Sequence, residues 1–360
     1  HCFLVCCVVS LTWAIFGYSA VFGGGGALIG SLDKAFLAHL GRGRAAGVPE
    51  IVFALFQMTF AIITPALIVG AFAERVRFSL VLWLSLAWPI VVYLPVAHWV
   101  WGGGWAAAHH VLDFAGGIVV HTTAGVSALV AVILIGPRDG FPHRLSPPHS
   151  PGLTMAGAGM LWVGWFGFNG GSALAANASA GYAIVATHLA AAAAGLTWAA
   201  IEWLRIGKPT SVGLVTGCVA GLATVTPASG FIAPMGAVAI GILGGGVCFT
   251  ATLMIKQRFR LDDTLDVFAV HGVGGMAGSL LVAAFAAPAL GGVGYAPGMG
   301  FTSQLGIQLA TVAAAALWSA VATFALIKLA APLTGLRVSR EQEYDGLDLA
   351  THGERAYDHG

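Results

Sequence analysis

The chain has 360 residues, of which 58% are hydrophobic and only 9% are charged, whereas a soluble domain carries about 25% charged residues. So few polar groups cannot cover a soluble surface, which excludes an ordinary soluble domain and makes the lipid bilayer the expected partner. The formal net charge of +1 gives no basic surface, so we expect no nucleic-acid partner.

Ten apolar stretches are long enough to be membrane helices, which need about 20 mostly apolar residues. In chain order they are 2–22, 51–72, 78–98, 114–135, 152–169, 180–204, 211–227, 231–256, 266–288 and 303–331. The seventh, built largely of Gly, Ala, Val and Thr, is the weakest candidate. The pattern predicts an all-α membrane protein, a polytopic helical bundle, with a transmembrane domain over 1–331 and a polar tail over 332–360.

Basic residues predict the orientation of this bundle. The connections after segments three, five, seven and nine contain no Lys or Arg. The connections after segments two, four, six and eight and the C-terminal end contain Arg75, Arg77, Arg138, Arg144, Arg205, Lys208, Lys256, Arg258, Arg260, Lys328, Arg337, Arg340 and Arg355. By the positive-inside rule these connections and the C-terminus are cytoplasmic. The loop 23–50 is the exception, because it carries Lys34, Arg42 and Arg44 yet is expected outside.

Two segments echo each other. Residues 113–121 (DFAGGIVVH) lead into TTAG, and residues 266–271 (DVFAVH) lead into GVGG. Each unit has an acid at a helix start, an apolar stretch, a histidine and then small residues. The two segments, the fourth and the ninth, run in opposite directions. This is typical of an inverted-topology repeat, whose interface commonly holds a transport site near the midplane.

The histidines of this echo, His121 and His271, lie inside membrane segments, where an ionisable residue suggests a function. Paired neutral imidazoles can share a proton and pass hydrogen bonds along a dry path. Two alternatives stay open. In the first, each ring bonds separately to a backbone carbonyl. In the second, the pair binds a metal, although the sequence offers no third ligand near the two histidines. For His188, also mid-membrane, a structural hydrogen bond is the expected role. His98, His109 and His110 fall at the outer boundary, where histidines are ordinary.

Asp113 begins the fourth segment, where a carboxylate caps free N–H groups and also favours a cation outside the membrane. Asp263 and Asp266 begin the ninth segment with the same capping interpretation. Aromatic faces can hold a small cation. Trp101 follows the third segment at the outer boundary, and Phe56 and Phe60 lie at i, i+4 spacing in the second segment. In the fifth segment, Trp165, Phe166 and Phe168 directly precede the run 169–172 (NGGS). Core packing or lipid contact is the plainer role for any one of these rings.

These motifs together resemble the ammonium transporter (Amt/Rhesus) family, along essentially the whole chain and in the family's order. The runs that carry the resemblance are AERVRF (73–78), WGGG (101–104), DFAGGIVVH (113–121), WVGWFGFNGGS (162–172), TPA (226–228), DDTLDVFAVHGVGG (262–275) and EYDGLDLATHGERAY (343–357). The resemblance implies eleven helices built as two inverted five-helix halves plus a last long helix, assembled as homotrimers in the cell membrane. The ten segments begin where the family's second helix would be, so the first helix is expected to be absent from this sequence.

The resemblance also implies site residues. Trp101, Phe60 and Ser172 match the outer ammonium-binding site, which Asp113 supports, and Phe60 with Phe168 matches the stacked phenyl gate. His121 and His271 match the paired pore histidines. The aromatic outer site favours the Amt branch over the Rhesus branch.

The implied activity is transport of ammonium, as ammonia, with no cofactor and no enzymatic reaction. A PII-type signalling protein is the cytoplasmic regulator that the resemblance suggests for the tail. Two other classes stay open. An ammonium sensor would be distinguished by an appended signalling domain, and a membrane enzyme by a nucleophile or third metal ligand beside the histidines.

Overall fold

A computed structural model of the chain describes residues 1–41, 44–45, 47–143 and 147–354. Three of the basic residues used for the orientation, Arg42, Arg144 and Arg355, lie outside the described residues, as does the end of the predicted tail.

The ten predicted segments all form helices, which confirms the predicted all-α membrane bundle. They are α1 (Cys2–Phe22), α2 (Glu50–Val69), α3 (Phe78–Ala108), α4 (Gly117–Ile135), α5 (Pro151–Gly171), α6 (Ala178–Ile206), α7 (Ser211–Val225), α8 (Pro234–Arg258), α9 (Phe268–Phe285) and α10 (Phe301–Thr334). Within the described residues, eight of them are long and apolar enough to cross a membrane. The others are α5, with 21 residues, and α7, with 15, which is about 22 Å at 1.5 Å per residue.

The remaining regular structure is short. A two-stranded antiparallel ribbon, β1 (Arg44–Ala45) with β2 (Val48–Pro49), lies in the connection before α2. Single turns of 3₁₀-helix cover Ala35–Leu37 and Pro288–Leu290. After α10 the tail forms α11 (Arg340–Asp345) and one π-helical turn, Asp348–His352.

The packing of the first helices is repeated by the later ones. Helix α1 packs on α2 and α3 as α6 packs on α7 and α8, and α2 packs on α4 as α7 packs on α9. Members of each pair are five helices apart in the chain and therefore run in opposite directions, as an inverted repeat requires. Helix α10 packs across this arrangement against α3, α4 and α9.

Helices α4 and α9 meet through glycines. A Cβ atom on Gly125 of α4 would lie 2.2 Å from the Cα and N atoms of Gly272 in α9. A Cβ atom on Gly275 would lie 2.5 Å from the Cβ atom of His121. Small residues therefore let the two backbones touch beside the histidines, which is how helices associate closely in lipid.

The connections after α2 and α4, the start of α9 and the tail meet on one face of the bundle, as the charge pattern predicts. Buried Arg75 donates to the carbonyls of Gly136 and Asp262, and Arg138 forms two hydrogen bonds of 2.9 Å with the Asp262 carboxylate. From the tail, Arg337 donates to the Pro137 carbonyl.

The exceptional loop 23–50 lies on the opposite face with the end of α3, where Trp105 N–H donates to the Ala27 carbonyl. Its one described basic side chain, Lys34, pairs with Glu50 at 2.5 Å. This ion pair joins the loop to the start of α2.

Candidate functional site

Each histidine of the echo lies on its own π-helical turn, at the start of a different helix. His121 belongs to the turn Gly117–Thr122, which opens α4, and His271 to the turn Phe268–Val273, which opens α9. Such turns are rare and occur frequently at functional sites. The chain enters the first turn through Gly116, whose φ of 110° favours a residue without a side chain.

Asp113 caps the start of α4. Its two carboxylate oxygens accept hydrogen bonds from the backbone N–H groups of Gly116, Gly117, Ile118 and Val119, at 2.6–3.1 Å. Burial raises the pKa of Asp113 to about 6, although the four N–H groups act to lower it. The carboxylate thus satisfies the free N–H groups of the helix start.

Asp263, rather than Asp266, is the counterpart of Asp113 at the start of α9. Its Oδ2 atom accepts a hydrogen bond from Phe268 N–H, whereas Asp266 pairs with Lys256 at 2.7 Å. Each capping acid precedes its histidine by eight residues, 113 to 121 and 263 to 271. Burial, and then the nearby carboxyl of Asp266, raise the pKa of Asp263 to about 7.

The two histidine rings lie against each other. His121 Nδ1 and His271 Nδ1 are 3.2 Å apart, and the ring centroids are 5.2 Å apart with an interplanar angle of 19°. One Nδ1 must donate and the other accept, so the two rings cannot hold the same tautomer. This contact differs from the alternative in which each ring bonds separately to a backbone carbonyl. The His121 Nε2 atom is buried without a partner among the described residues, and no metal-binding group of three ligands occurs among them.

Trp165 extends the stack from His121. Its ring lies 5.5 Å from that of His121 with an interplanar angle of 18°, and its Nε1 donates to Thr226 Oγ1 at 2.8 Å. The Asn169 Nδ2 group donates to Thr187 Oγ1 beside it, so a buried polar network fixes the stacked tryptophan. Sequence reasoning missed this role. The available signal was spacing, since Trp165, Phe168 and Ser172 follow one face of α5 at i, i+3 and i+7.

Three of the predicted outer residues come together above this stack. Phe60 is buried and lies 4.1 Å from Phe168 and 5.4 Å from Trp101, between ring centroids. Trp101 Nε1 donates to the main-chain carbonyl of Asp113 at 2.9 Å, which joins this aromatic group to the start of α4. Trp101 is the last residue of the helical stretch Leu94–Trp101, which lies within α3 and extends beyond the predicted end at residue 98. The rings of Phe60 and Phe168 are tilted at 42° to each other, and their centroid separation of 4.1 Å leaves no open passage between them.

Ser172 lies one turn beyond Phe168 and donates to its carbonyl at 2.8 Å, so it belongs to the same end of α5. Among the described residues, its hydroxyl makes no hydrogen bond to Trp101. The structure therefore brings Trp101, Phe60 and Phe168 into contact and places Ser172 beside them.

The other histidines have separate surroundings. His188 is exposed on α6 and packs on the rings of Trp162 and Phe166, at 5.3 and 6.0 Å, instead of forming the predicted hydrogen bond. His98, expected to be ordinary, is buried with both ring nitrogens at main-chain carbonyls. His109 is exposed and bonds the Trp105 carbonyl.

The fold and this site define a class: a multi-pass helical membrane protein in which a line of aromatic rings leads from one face to a buried histidine pair between inverted halves. Comparison with known proteins narrows the class. The sequence model of the Ammonium Transporter Family matches residues 1–357.

Named relatives and solved structures agree with that match. The ammonium transporter of Bacillus subtilis is 44% identical over 363 residues, covering 99% of this chain and 89% of the relative. Ammonium transporter Amt1 of Archaeoglobus fulgidus is 44% identical over 357 residues, with the same coverage of each chain, 99% and 89%.

Among solved structures, a "Sensor Amt Protein" has a TM-score of 0.90 at 32% identity, covering 97% of this chain and 88% of that one. Candida albicans Mep2 has a TM-score of 0.86 at 35% identity, covering 94% and 78%. This chain belongs to the ammonium transporter family, and it is a transporter rather than an enzyme.

Proposed function

We propose that this protein captures ammonium at the outer aromatic group, removes its proton and conducts ammonia past the histidine pair. The observation that carries the proposal is the contact of His121 with His271 at 3.2 Å, at the end of an unbroken line of rings. That line runs through Trp101, Phe60, Phe168, Trp165 and His121.

Capture is assigned to Trp101, Phe60 and Ser172. Trp101 is only partly buried, so its π face is accessible to a small cation, and such contacts are worth about 2 kcal/mol or more when desolvated. The Ser172 hydroxyl is the nearby polar group whose free lone pairs can accept from an ammonium N–H while its hydrogen is donated to the Phe168 carbonyl. Asp113 supports the site electrostatically, because the residue whose main-chain carbonyl holds Trp101 also carries the negative charge.

Deprotonation follows from the cost of moving a cation through the phenyl gate of Phe60 and Phe168. An unpaired charge in an apolar membrane site costs several kcal/mol, whereas neutral ammonia does not carry this cost. Ammonia then passes His121 and His271, whose ring nitrogens can exchange hydrogen bonds with it, and the proton follows by a separate histidine-assisted path. Potassium has no proton to lose, which accounts for selectivity against it.

Assembly as a homotrimer in the cell membrane is part of the proposal. An exposed His188 in the middle of α6 would be costly against lipid, and a second copy covering this face removes that cost. The basic connections that share a face with the tail support a cytoplasmic C-terminus by the positive-inside rule. A PII-type protein is the proposed regulator at that face.

Uptake of labelled methylammonium by a transporter-deficient cell tests the mechanism. His121→Ala and His271→Ala are expected to abolish uptake or to let potassium through, while His109→Gln, on the exposed outer surface, serves as the matched control. Wild-type uptake kinetics in either pore variant, with equal protein in the membrane, would refute the role of the pair.

Because a neighbour with a TM-score of 0.90 is named a sensor, the fold is compatible with both transport and sensing. The same uptake assay separates the two, since a sensor would bind methylammonium without accumulating it.

A further inference from the structure

The outer end of α3 contains a histidine that the transport mechanism does not use. His98 is 1% exposed, and its two ring nitrogens both face main-chain carbonyl oxygens. Nδ1 lies 2.7 Å from the Val21 carbonyl and Nε2 lies 2.8 Å from the Gly26 carbonyl. A carbonyl can only accept, so each ring nitrogen must donate at these distances.

A neutral imidazole has one N–H group and would leave its other nitrogen lone pair pointing at a carbonyl lone pair. Turning the ring over does not help, because a carbon would then lie 2.7 Å from the Val21 oxygen, well inside the usual C···O separation of about 3.3 Å. Only the imidazolium form supplies two donors. We propose that His98 is held as a buried imidazolium and acts as a positioning residue for Trp101, which rests on the proposed capture site.

The surroundings favour a positive charge without any carboxylate partner. Val21 lies in the last turn of α1, where free carbonyls form the negative end of the helix dipole. The charged groups on the packed elements are engaged elsewhere: Lys34 pairs with Glu50, and Asp33 accepts from Ser31. Among the described residues, His98 bonds to the two carbonyls alone.

Three successive carbonyls of the loop, those of Gly26, Ala27 and Leu28, accept hydrogen bonds from the end of α3. The donors are His98 Nε2, Trp105 N–H and Trp99 Nε1, at 2.8, 3.0 and 2.9 Å. The loop between α1 and α2 is thereby fixed along the stretch that carries Trp101.

His98 also organises the turn that follows Trp101. Its own carbonyl accepts from both Gly102 N–H and Gly104 N–H, at 3.0 Å each. A Cβ atom at Gly102 would lie 2.0 Å from the Val21 oxygen and 2.6 Å from His98 Nδ1, so the turn packs directly on the histidine–carbonyl bond. Through this contact, the hydrogen bonds of His98 set where the helix ends and hence where the Trp101 ring lies.

The protonation state can be measured without a variant. We expect ¹⁵N NMR of the full-length protein in lipid bilayers at neutral pH to show both ring nitrogens of His98 protonated, with the ring assigned through its proximity to ¹³C-labelled Val and Gly carbonyls. One unprotonated ring nitrogen would overturn the inference. This result does not depend on how ammonium is captured.

Transport kinetics test the positioning role. His98→Gln replaces two donor nitrogens with one and removes the charge, and we expect its apparent KM for methylammonium to rise about tenfold, as for a lost charge-assisted hydrogen bond, with Vmax per folded protein nearly unchanged. His109→Gln, a histidine with one carbonyl partner on the exposed surface, is the matched control.

Trp101→Ala separates this inference from the proposed function. If Trp101→Ala leaves KM unchanged, the capture site itself is wrong; if it raises KM but His98→Gln does not, the positioning role of His98 is overturned. Should the Gln variant fail to fold, the wild-type NMR measurement decides, because the proposed positioning of Trp101 requires the two hydrogen bonds that the imidazolium donates.

Discussion

Replacing Gly125 with alanine should separate the histidines without touching either ring. Its added Cβ atom would begin 2.2 Å from Gly272, and ordinary contact starts at 3.4 Å, so α4 and α9 must move apart by about 1.2 Å. If that displacement is transmitted in full, the Nδ1 separation of 3.2 Å becomes about 4.4 Å, beyond hydrogen-bond range.

We expect Gly125→Ala to lower the stability of the fold moderately and to lower transport strongly. Overpacking of this size typically costs about 1–3 kcal/mol, which a stable membrane bundle can tolerate. We therefore expect Gly125→Ala to reach the membrane with a lowered melting temperature and to lose most methylammonium uptake. Gly306→Ala is the matched control, since a Cβ atom at that exposed position of α10 meets nothing within 4 Å.

The assay pairs uptake with a structure of the variant. Full uptake by Gly125→Ala, together with an unchanged separation of the histidine nitrogens, would refute the argument that backbone contact holds the pair. Full uptake with the rings apart would instead show that transport does not need their hydrogen bond.

Three further outcomes follow from the capping acid, the polar face and the stacked tryptophan. Asp113→Asn leaves one side-chain acceptor oxygen for four N–H groups, so at least two lose their partner; thermal unfolding should show a loss of about 2–6 kcal/mol, which Asp113→Glu partly restores. Burial opposes ionisation of Asp262, but Arg138 holds the pKa of Asp262 below its usual value. The ionised carboxylate therefore stabilises the folded protein fully above about pH 4, and this contribution is lost as the pH falls further. The melting temperature of Asp262→Asn should lack that decline in acid. Trp165→Phe keeps a ring over His121 but loses the bond to Thr226, so we expect about 1 kcal/mol of destabilisation with uptake retained, whereas Trp165→Ala should lose uptake.

The helices and the histidine pair could be predicted from the sequence because both depend on local patterns. Apolar length alone defines a membrane helix. For His121 and His271, two similar motifs on antiparallel segments indicated a common interface, and the family resemblance implied the pair, while separate carbonyl partners and a metal site stayed open.

What could not be predicted depends on tertiary contacts or on backbone direction. The acid that caps α9 is Asp263, because Asp266 has a φ of 58° and its side chain pairs with Lys256. Neither fact is visible in the spacing of the acids. The partners of His98 come from a glycine-rich loop more than 70 residues earlier in the chain, and main-chain carbonyls leave no signature in the sequence.

The positions of the helix starts favour passage of a neutral molecule. His121 lies four residues into α4 and His271 three residues into α9. Helix α4 therefore begins about 6 Å, and helix α9 about 5 Å, from the level of its own histidine ring. The helices enter from opposite faces, and since the rings touch, the two N-termini lie on opposite sides of the ring level, at about 6 Å and about 5 Å from it. Helix N-termini carry partial positive charge, which disfavours a cation between them.

The two acids compensate that charge only locally, because their oxygens are turned towards the N–H groups they cap: Asp113 bonds four of them and Asp263 bonds Phe268 N–H. A cation arriving from the aromatic group would therefore meet two helix starts and two imidazoles without a free counter-charge. Ammonia meets only hydrogen-bonding partners there. In the proposed mechanism, the barrier to the ion is therefore a property of how the inverted halves meet, and the phenyl rings of Phe60 and Phe168 add to it.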